Sequence, residues 1–183
     1  ALTEDGNNWA KTYAGSITLG TGQFCTNPGL ILGIKSKELS QFIAQVSDAI
    51  LQIKPSVMLH PNIAGAYETN KQKAISQSDV VVAASFKDNT QTNFASQMIA
   101  TVEGKEFLEN STLHQEVFGP FSMVVQCEDE NQLEEIISQL EGQLTGTVIS
   151  DENEVANYPK VIAALQNRVG RIIFNGVPTG VEV

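Results

Sequence analysis

The residues able to do covalent chemistry are few, and one of them stands in a distinctive loop. Cys25 lies in Gly20-Thr21-Gly22-Gln23-Phe24-Cys25-Thr26-Asn27-Pro28-Gly29, a stretch with three glycines and a proline. Flanking glycines let backbone approach a ligand closely, and the Cys25 amide can face an oxyanion. A thiol in that position attacks as its thiolate. Read from composition alone, the same residue is a small apolar filler of a turn, as free cysteines usually are. The other cysteine, Cys127, follows Met123-Val124-Val125-Gln126 and is expected buried at a strand end. His60 and His114 are the two imidazoles, and His114 stands two residues before Glu116. A Cys25–His114–Glu116 grouping is the pattern of a cysteine hydrolase or acyltransferase, with His114 as base. Both histidines read equally well as surface residues. Two cysteines without CxxC or His-rich spacing propose neither a disulfide framework nor a metal site, so a reducing, cytoplasmic compartment is expected.

The elements that must position these groups alternate between short apolar runs and amphipathic windows. Trp9, Tyr13 and Ile17 mark a helix over 7–19, ended near Gly20. Residues 30–34 predict a strand buried on both faces. Ser36 caps a helix whose apolar positions are Leu39, Phe42, Ile43, Val46, Ile50 and Ile53, with Pro55 beyond it. A weaker helical window covers 62–77. Residues 80–85 show no alternation, which predicts a parallel strand buried on two sides. Residues 97–102 and 121–126 read as strands, with a short helix near 105–108. Asp129 and Gln132 form a capping pair before Leu133, Ile136, Ile137 and Leu140. A strand over 147–150, a helix over 159–167 with Pro159 in its first turn, and a strand over 171–174 complete the series. The expected fold is α/β: a mostly parallel, twisted sheet with helices on both faces, in one domain over 1–183. Ligands of such sheets are expected at the carboxyl ends of the strands.

Composition bounds the partners. Of 183 residues, 42% are hydrophobic and 17% charged, and mean hydropathy is −0.08. That is ordinary globular composition. Eleven Lys and Arg against 21 Asp and Glu give a net charge of −10 and a pI near 4.6. Nucleic acid would meet a repulsive field, and no apolar run approaches membrane-spanning length. The chain begins at Ala1 and its tail, Gly180-Val181-Glu182-Val183, stops without a closing element. A piece of a larger protein is expected.

Gly22-Gln23-Phe24-Cys25 resembles the nucleophile signature of the aldehyde dehydrogenase superfamily, a glycine and a glutamine ahead of the catalytic cysteine. The longer GQFCTNPG is similar to the branch of 2-oxoglutarate semialdehyde (2,5-dioxopentanoate) and NADP-preferring fatty aldehyde dehydrogenases. Glu116-Val117-Phe118-Gly119-Pro120 is similar to the family's EIFGP motif, and 170–176 to a later segment, all in matching order. Many members carry Arg five positions after the cysteine; this chain has Leu30, which fits the semialdehyde branch.

The resemblance implies an NAD(P)-dependent enzyme oxidising a small aldehyde, with 2-oxoglutarate semialdehyde as the candidate. Cys25 then matches the nucleophile, forming a thiohemiacetal and later a thioester. Glu116 matches the carboxylate that accepts the nicotinamide ribose hydroxyls, and Phe118 the aromatic beside that ribose and ring. It further implies NADP or NAD bound mainly by a domain absent from this chain, together with the general base and the second oxyanion donor. A C-terminal tail is likewise expected to be missing, the isolated chain to be inactive and the parent enzyme to be a homo-oligomer. The non-enzymatic alternative is a binding or assembly module that kept the shell and lost the chemistry.

Overall fold

The structure, a computed structural model, describes residues 2–87, 91–151 and 155–178. In chain order its elements are α1 (Leu2–Thr18), β1 (Leu30–Ile34), α2 (Lys37–Leu51), β2 (Ser56–Val57), α3 (Pro61–Ile75), β3 (Val81–Ser85), β4 (Phe94–Ala95) and β5 (Met98–Glu103). Then follow α4 (Gly104–Glu109), β6 (Phe121–Cys127), α5 (Glu130–Gln139), β7 (Gln143–Val148), α6 (Pro159–Gln166) and β8 (Val169–Phe174).

The two stretches with the longest buried runs become the central strands. β5 and β6 run parallel, Met98 opposite Phe121 and Glu103 opposite Gln126. β1 joins the far side of β6, also parallel, with Leu30 opposite Met123. Side chains of a strand alternate between faces, and here the two faces meet two separate cores. Met98, Ala100, Val102, Met123, Val125 and Cys127 join Tyr67, Phe107, Leu113 and Ile136 on one side. Ile99 and Val124 join Ala10, Tyr13, Ile17, Phe42, Val46 and Ile50 of α1 and α2 on the other. Helices therefore cover both faces, as the alternating pattern requires.

The expected caps are present. The Ser36 hydroxyl accepts from Leu39 N–H at 3.0 Å, and Asp129 Oδ1 from Gln132 N–H at 2.9 Å. The Gln132 side chain reaches back to Glu128 N–H at 2.8 Å. Pro159 opens α6, where its missing N–H costs nothing.

Three sequence expectations are corrected. β3 is antiparallel to β5, and Val81 is 60% exposed on this edge strand rather than buried on two sides. A parallel return needs a long crossover, usually a helix; the described part of 86–97 holds only β4, paired with β2. A register shift between Val82 and Ala84 twists this edge, one way edges avoid further pairing. β1 is an edge strand as well, so its residues are half-buried rather than fully covered. The strand expected over 147–150 begins at Gln143, because pairing with β8 starts there and Gln143 and Thr145 carry no apolar signal. β7 and β8 pair only with each other and not with the four-stranded sheet. The tail expected to stop short, 180–183, lies outside the described residues.

Candidate active site

The cysteine loop leads directly into β1, and the Glu116–Pro120 stretch leads directly into β6. The candidate site thus lies at the amino ends of the parallel strands, contrary to the carboxyl-end expectation. The carboxyl-end connections are short. β5 passes straight into α4, and only two residues separate β1 from α2 and β6 from α5. Lys35 fills that end by pairing with both Glu103 and Glu128, and hydrogen bonds to Glu103 and then Glu128 raise its pKa.

The loop before Cys25 is a left-handed turn. Gly20, Thr21 and Gly22 have φ of 52°, 61° and 66°. Glycine adopts this region freely, whereas a β-branched residue does so only under constraint. The constraint on Thr21 is burial and a hydrogen bond from its hydroxyl to Val57 C=O at 3.2 Å. Gly22 is required for a second reason. A Cβ there would sit 2.2 Å from the backbone carbon of Gly119 and 2.5 Å from Pro120 N. The two motif loops, far apart in sequence, touch backbone to backbone at this point.

Further bonds fix the contact. Asn27 Nδ2 donates to Gly119 C=O at 2.9 Å, and Ser122 Oγ donates to Pro28 C=O at 2.9 Å. Gln23 donates to Gly20 C=O and accepts from Leu59 N–H, both at 2.9 Å. Gly119, at φ 149°, lies under the Tyr67 ring, where a Cβ would meet Cδ2 at 2.3 Å.

Within this frame Cys25 is exposed, at a turn closed by Asn27 N–H donating to Phe24 C=O at 3.1 Å. Its own N–H has no acceptor among the described residues. Cys25, Glu116 and Phe118 border one cleft of about 1590 Å³, whose walls include residues 25–34 and 143–150. Glu116 is exposed and Phe118 half-buried.

The other titratable candidates are engaged elsewhere. His114 Nε2 lies 2.7 Å from Phe107 C=O, and its ring stacks on Phe107 at 4.5 Å. A carbonyl only accepts, so this nitrogen carries its hydrogen and is not a base for Cys25. His60 Nδ1 caps α3 by accepting from Asn62 N–H at 3.1 Å. Cys127 is fully buried as expected, and burial pushes its thiol up to about 11 despite a hydrogen bond from Gly33 N–H. Among the described residues no group of His, Cys, Asp or Glu could hold a metal ion, and no helix is long and apolar enough to cross a membrane. Sequence reasoning missed Asn27 and Tyr67. Asn27 stood inside a quoted motif, but its partner is visible only in three dimensions.

No family model matches the chain. It is 35% identical over 184 residues to alpha-ketoglutaric semialdehyde dehydrogenase 2 of Azospirillum brasilense. It is 34% identical over 184 residues to alpha-ketoglutaric semialdehyde dehydrogenase of Acinetobacter baylyi. Each alignment takes in 100% of this chain and 35% of the relative, so the chain spans about a third of those proteins. Among solved structures, betaine aldehyde dehydrogenase of Staphylococcus aureus superposes with a TM-score of 0.79 at 17% identity, over 96% of this chain and 36% of that one. NADP-dependent glyceraldehyde-3-phosphate dehydrogenase of Bacillus halodurans gives 0.77 at 15% identity, over 96% and 36%. These likenesses show the fold.

Proposed function

We propose, from the premise that this chain is a segment of the aldehyde dehydrogenase superfamily, that it supplies the nucleophile and the nicotinamide-side contacts of an NAD(P)-dependent aldehyde oxidation. The observation that carries the reading is the Gly22–Gly119 contact, which sets the thiol loop and the Glu116–Phe118 loop on one cleft. Cys25 Sγ bonds to the aldehyde carbon, and the open Cys25 N–H faces the oxygen of the resulting thiohemiacetal. Oxidation at that carbon leaves a thioester on Cys25, which water cleaves to the carboxylic acid and the free thiol.

The residues present fit one end of the dinucleotide. The Glu116 carboxylate is exposed and makes no hydrogen bond among the described residues, so both oxygens are open to a vicinal diol. Phe118 offers an apolar wall beside it. When bound, the dinucleotide supplies the hydride acceptor. Its phosphates and adenosine we assign to residues beyond these 183, so this segment alone is expected to fold without oxidising aldehydes. The names of the relatives support 2-oxoglutarate semialdehyde as the substrate, and the free thiols suit a reducing cytoplasm. The choice between NAD and NADP is left to the adenosine contacts.

The test is covalent trapping. The full-length enzyme is mixed with 2-oxoglutarate semialdehyde and either dinucleotide, quenched in acid and digested. An acyl mass on the peptide holding Cys25 is expected. An acyl mass elsewhere, or none during active turnover, overturns the assignment.

A further inference from the structure

We infer that Asn27 and Tyr67 are positioning residues that clamp the Gly119–Pro120 turn from two sides and thereby set Glu116 and Phe118 against Cys25. The inference rests on the proposed roles of those three residues. Asn27 reaches from the cysteine loop, its amide donating to Gly119 C=O at 2.9 Å. Tyr67 reaches from α3, its hydroxyl donating to Ser96 C=O at 2.7 Å and lying 3.3 Å from Pro120 C=O. Its ring lies over Gly119, filling the space a side chain there would need. The next carbonyl to the turn is also held, since Met98 N–H donates to Pro120 C=O at 3.0 Å.

The clamp is built from the inside. Tyr67 is 2% exposed, and burial raises its hydroxyl pKa, so it stays a neutral donor at working pH. Lys71, one turn on, is 4% exposed and lies 4.8 Å from the ring centroid, with its ammonium 2.7 Å from Glu68. The ammonium over the face fixes the ring plane. Asn27 Oδ1 is buried with no partner among the described residues. The bond from its amide to Gly119 C=O is the hydrogen bond this side chain makes among the described residues. Glu116 itself is exposed and has no side-chain tether among the described residues, so the turn three residues on is what limits its positions. Geometry of this kind matters because small displacements of a binding group cost rate and affinity.

The experiment uses the full-length enzyme with Asn27→Ala, Tyr67→Phe, the double variant and Glu116→Gln. Tyr67→Phe keeps the ring and its packing, so it should fold where a smaller side chain would leave a hole. Each single variant is expected to raise the dinucleotide KM about three- to tenfold, with aldehyde KM within about twofold. The double variant is expected to exceed the worse single one by less than about twofold, because both residues hold one turn. A lowered melting midpoint with dinucleotide KM unchanged in both single variants would make the two residues merely structural and overturn the inference. Glu116→Gln separates the failures. If it raises dinucleotide KM while the clamp variants do not, the clamp is wrong and the site reading stands. If it leaves dinucleotide KM and hydride transfer unchanged, the reading beneath the clamp is lost and the inference falls with it.

Discussion

The two ends of the parallel strands β1, β5 and β6 are built on opposite principles. At the carboxyl end the strands pass into their helices through two residues or none, Ser36 and Asp129 cap α2 and α5, and Lys35 ties Glu103 to Glu128. Ahead of β1 and β6 the loops are longer, and the one before β1 holds three glycines. They touch each other through backbone, and they leave a thiol, a carboxylate and an aromatic side chain on a cleft. Each end also owns one cysteine. Cys127 closes β6 at the carboxyl end and is buried, while Cys25 stands exposed ahead of β1. The difference teaches that short, capped connections leave no exposed loop, whereas the cysteine loop is held by its own turn hydrogen bonds together with contacts to the Gly119–Pro120 backbone.

The largest effect that contrast predicts is on turnover. In the full-length enzyme Cys25→Ser should lower the rate about a thousandfold or more, since the weaker nucleophile lacks an identified base here. Cys127→Ala should leave it within about twofold. Steady-state assays of the two variants, normalised to folded protein, decide this. Equal losses would erase the distinction between the ends.

Next come the glycines. Gly22→Ala combines a left-handed φ with a 2.2 Å clash against backbone, which cannot yield as a side chain can. A cost of about 3 kcal/mol or more is expected. Gly33, toward the carboxyl end of β1, would meet only the Leu39 side chain at 2.9 Å, so Gly33→Ala should cost about 1 kcal/mol. Denaturant titration of both variants measures the gap, and a Gly33→Ala penalty equal to that of Gly22→Ala would contradict it.

Glu116→Gln should slow single-turnover hydride transfer about tenfold while Cys25 still forms its adduct. The amide keeps one acceptor and loses the charge-assisted bonds. Stopped-flow absorbance of the reduced dinucleotide reports the step.

A smaller effect concerns alkaline stability. Cys127 ionises near 9.0 when unfolded and only near 11 when folded, because burial disfavours the thiolate. The folded state therefore keeps a proton the unfolded state has lost. The stabilisation, about 2 to 3 kcal/mol, is full below pH 9 and disappears as pH rises towards 11. Tyr13, pushed up to about 12 by burial despite its bond to Thr147, adds a like decline from pH 10. Cys127→Ala should flatten stability between pH 9 and 10 but not above. The smallest effect should come from Lys35→Gln, whose exposed pairs are screened by water and salt. Its melting midpoint should sit close to the parent's at 0.5 M NaCl.

Much of this molecule was determined along the chain. Period-3.6 apolar spacing located α2 and α5, and Ser36 and Asp129 placed their starts, because caps and amphipathic faces are local properties. The motif around Cys25 and the Glu116–Pro120 stretch were likewise legible as residues. Direction and partnership were not. A run such as Val80-Val81-Val82-Ala83-Ala84 states that it is apolar, but whether it is central or an exposed antiparallel edge depends on the length of chain available for the return. The end of the sheet that carries the candidate site, the seating of Gly22 on Gly119 and the contacts of Asn27 and Tyr67 with the Gly119–Pro120 turn were decided only by tertiary structure. Each is a contact between segments distant in sequence, and an apolar run records a residue's preference for burial without recording what, if anything, will cover it.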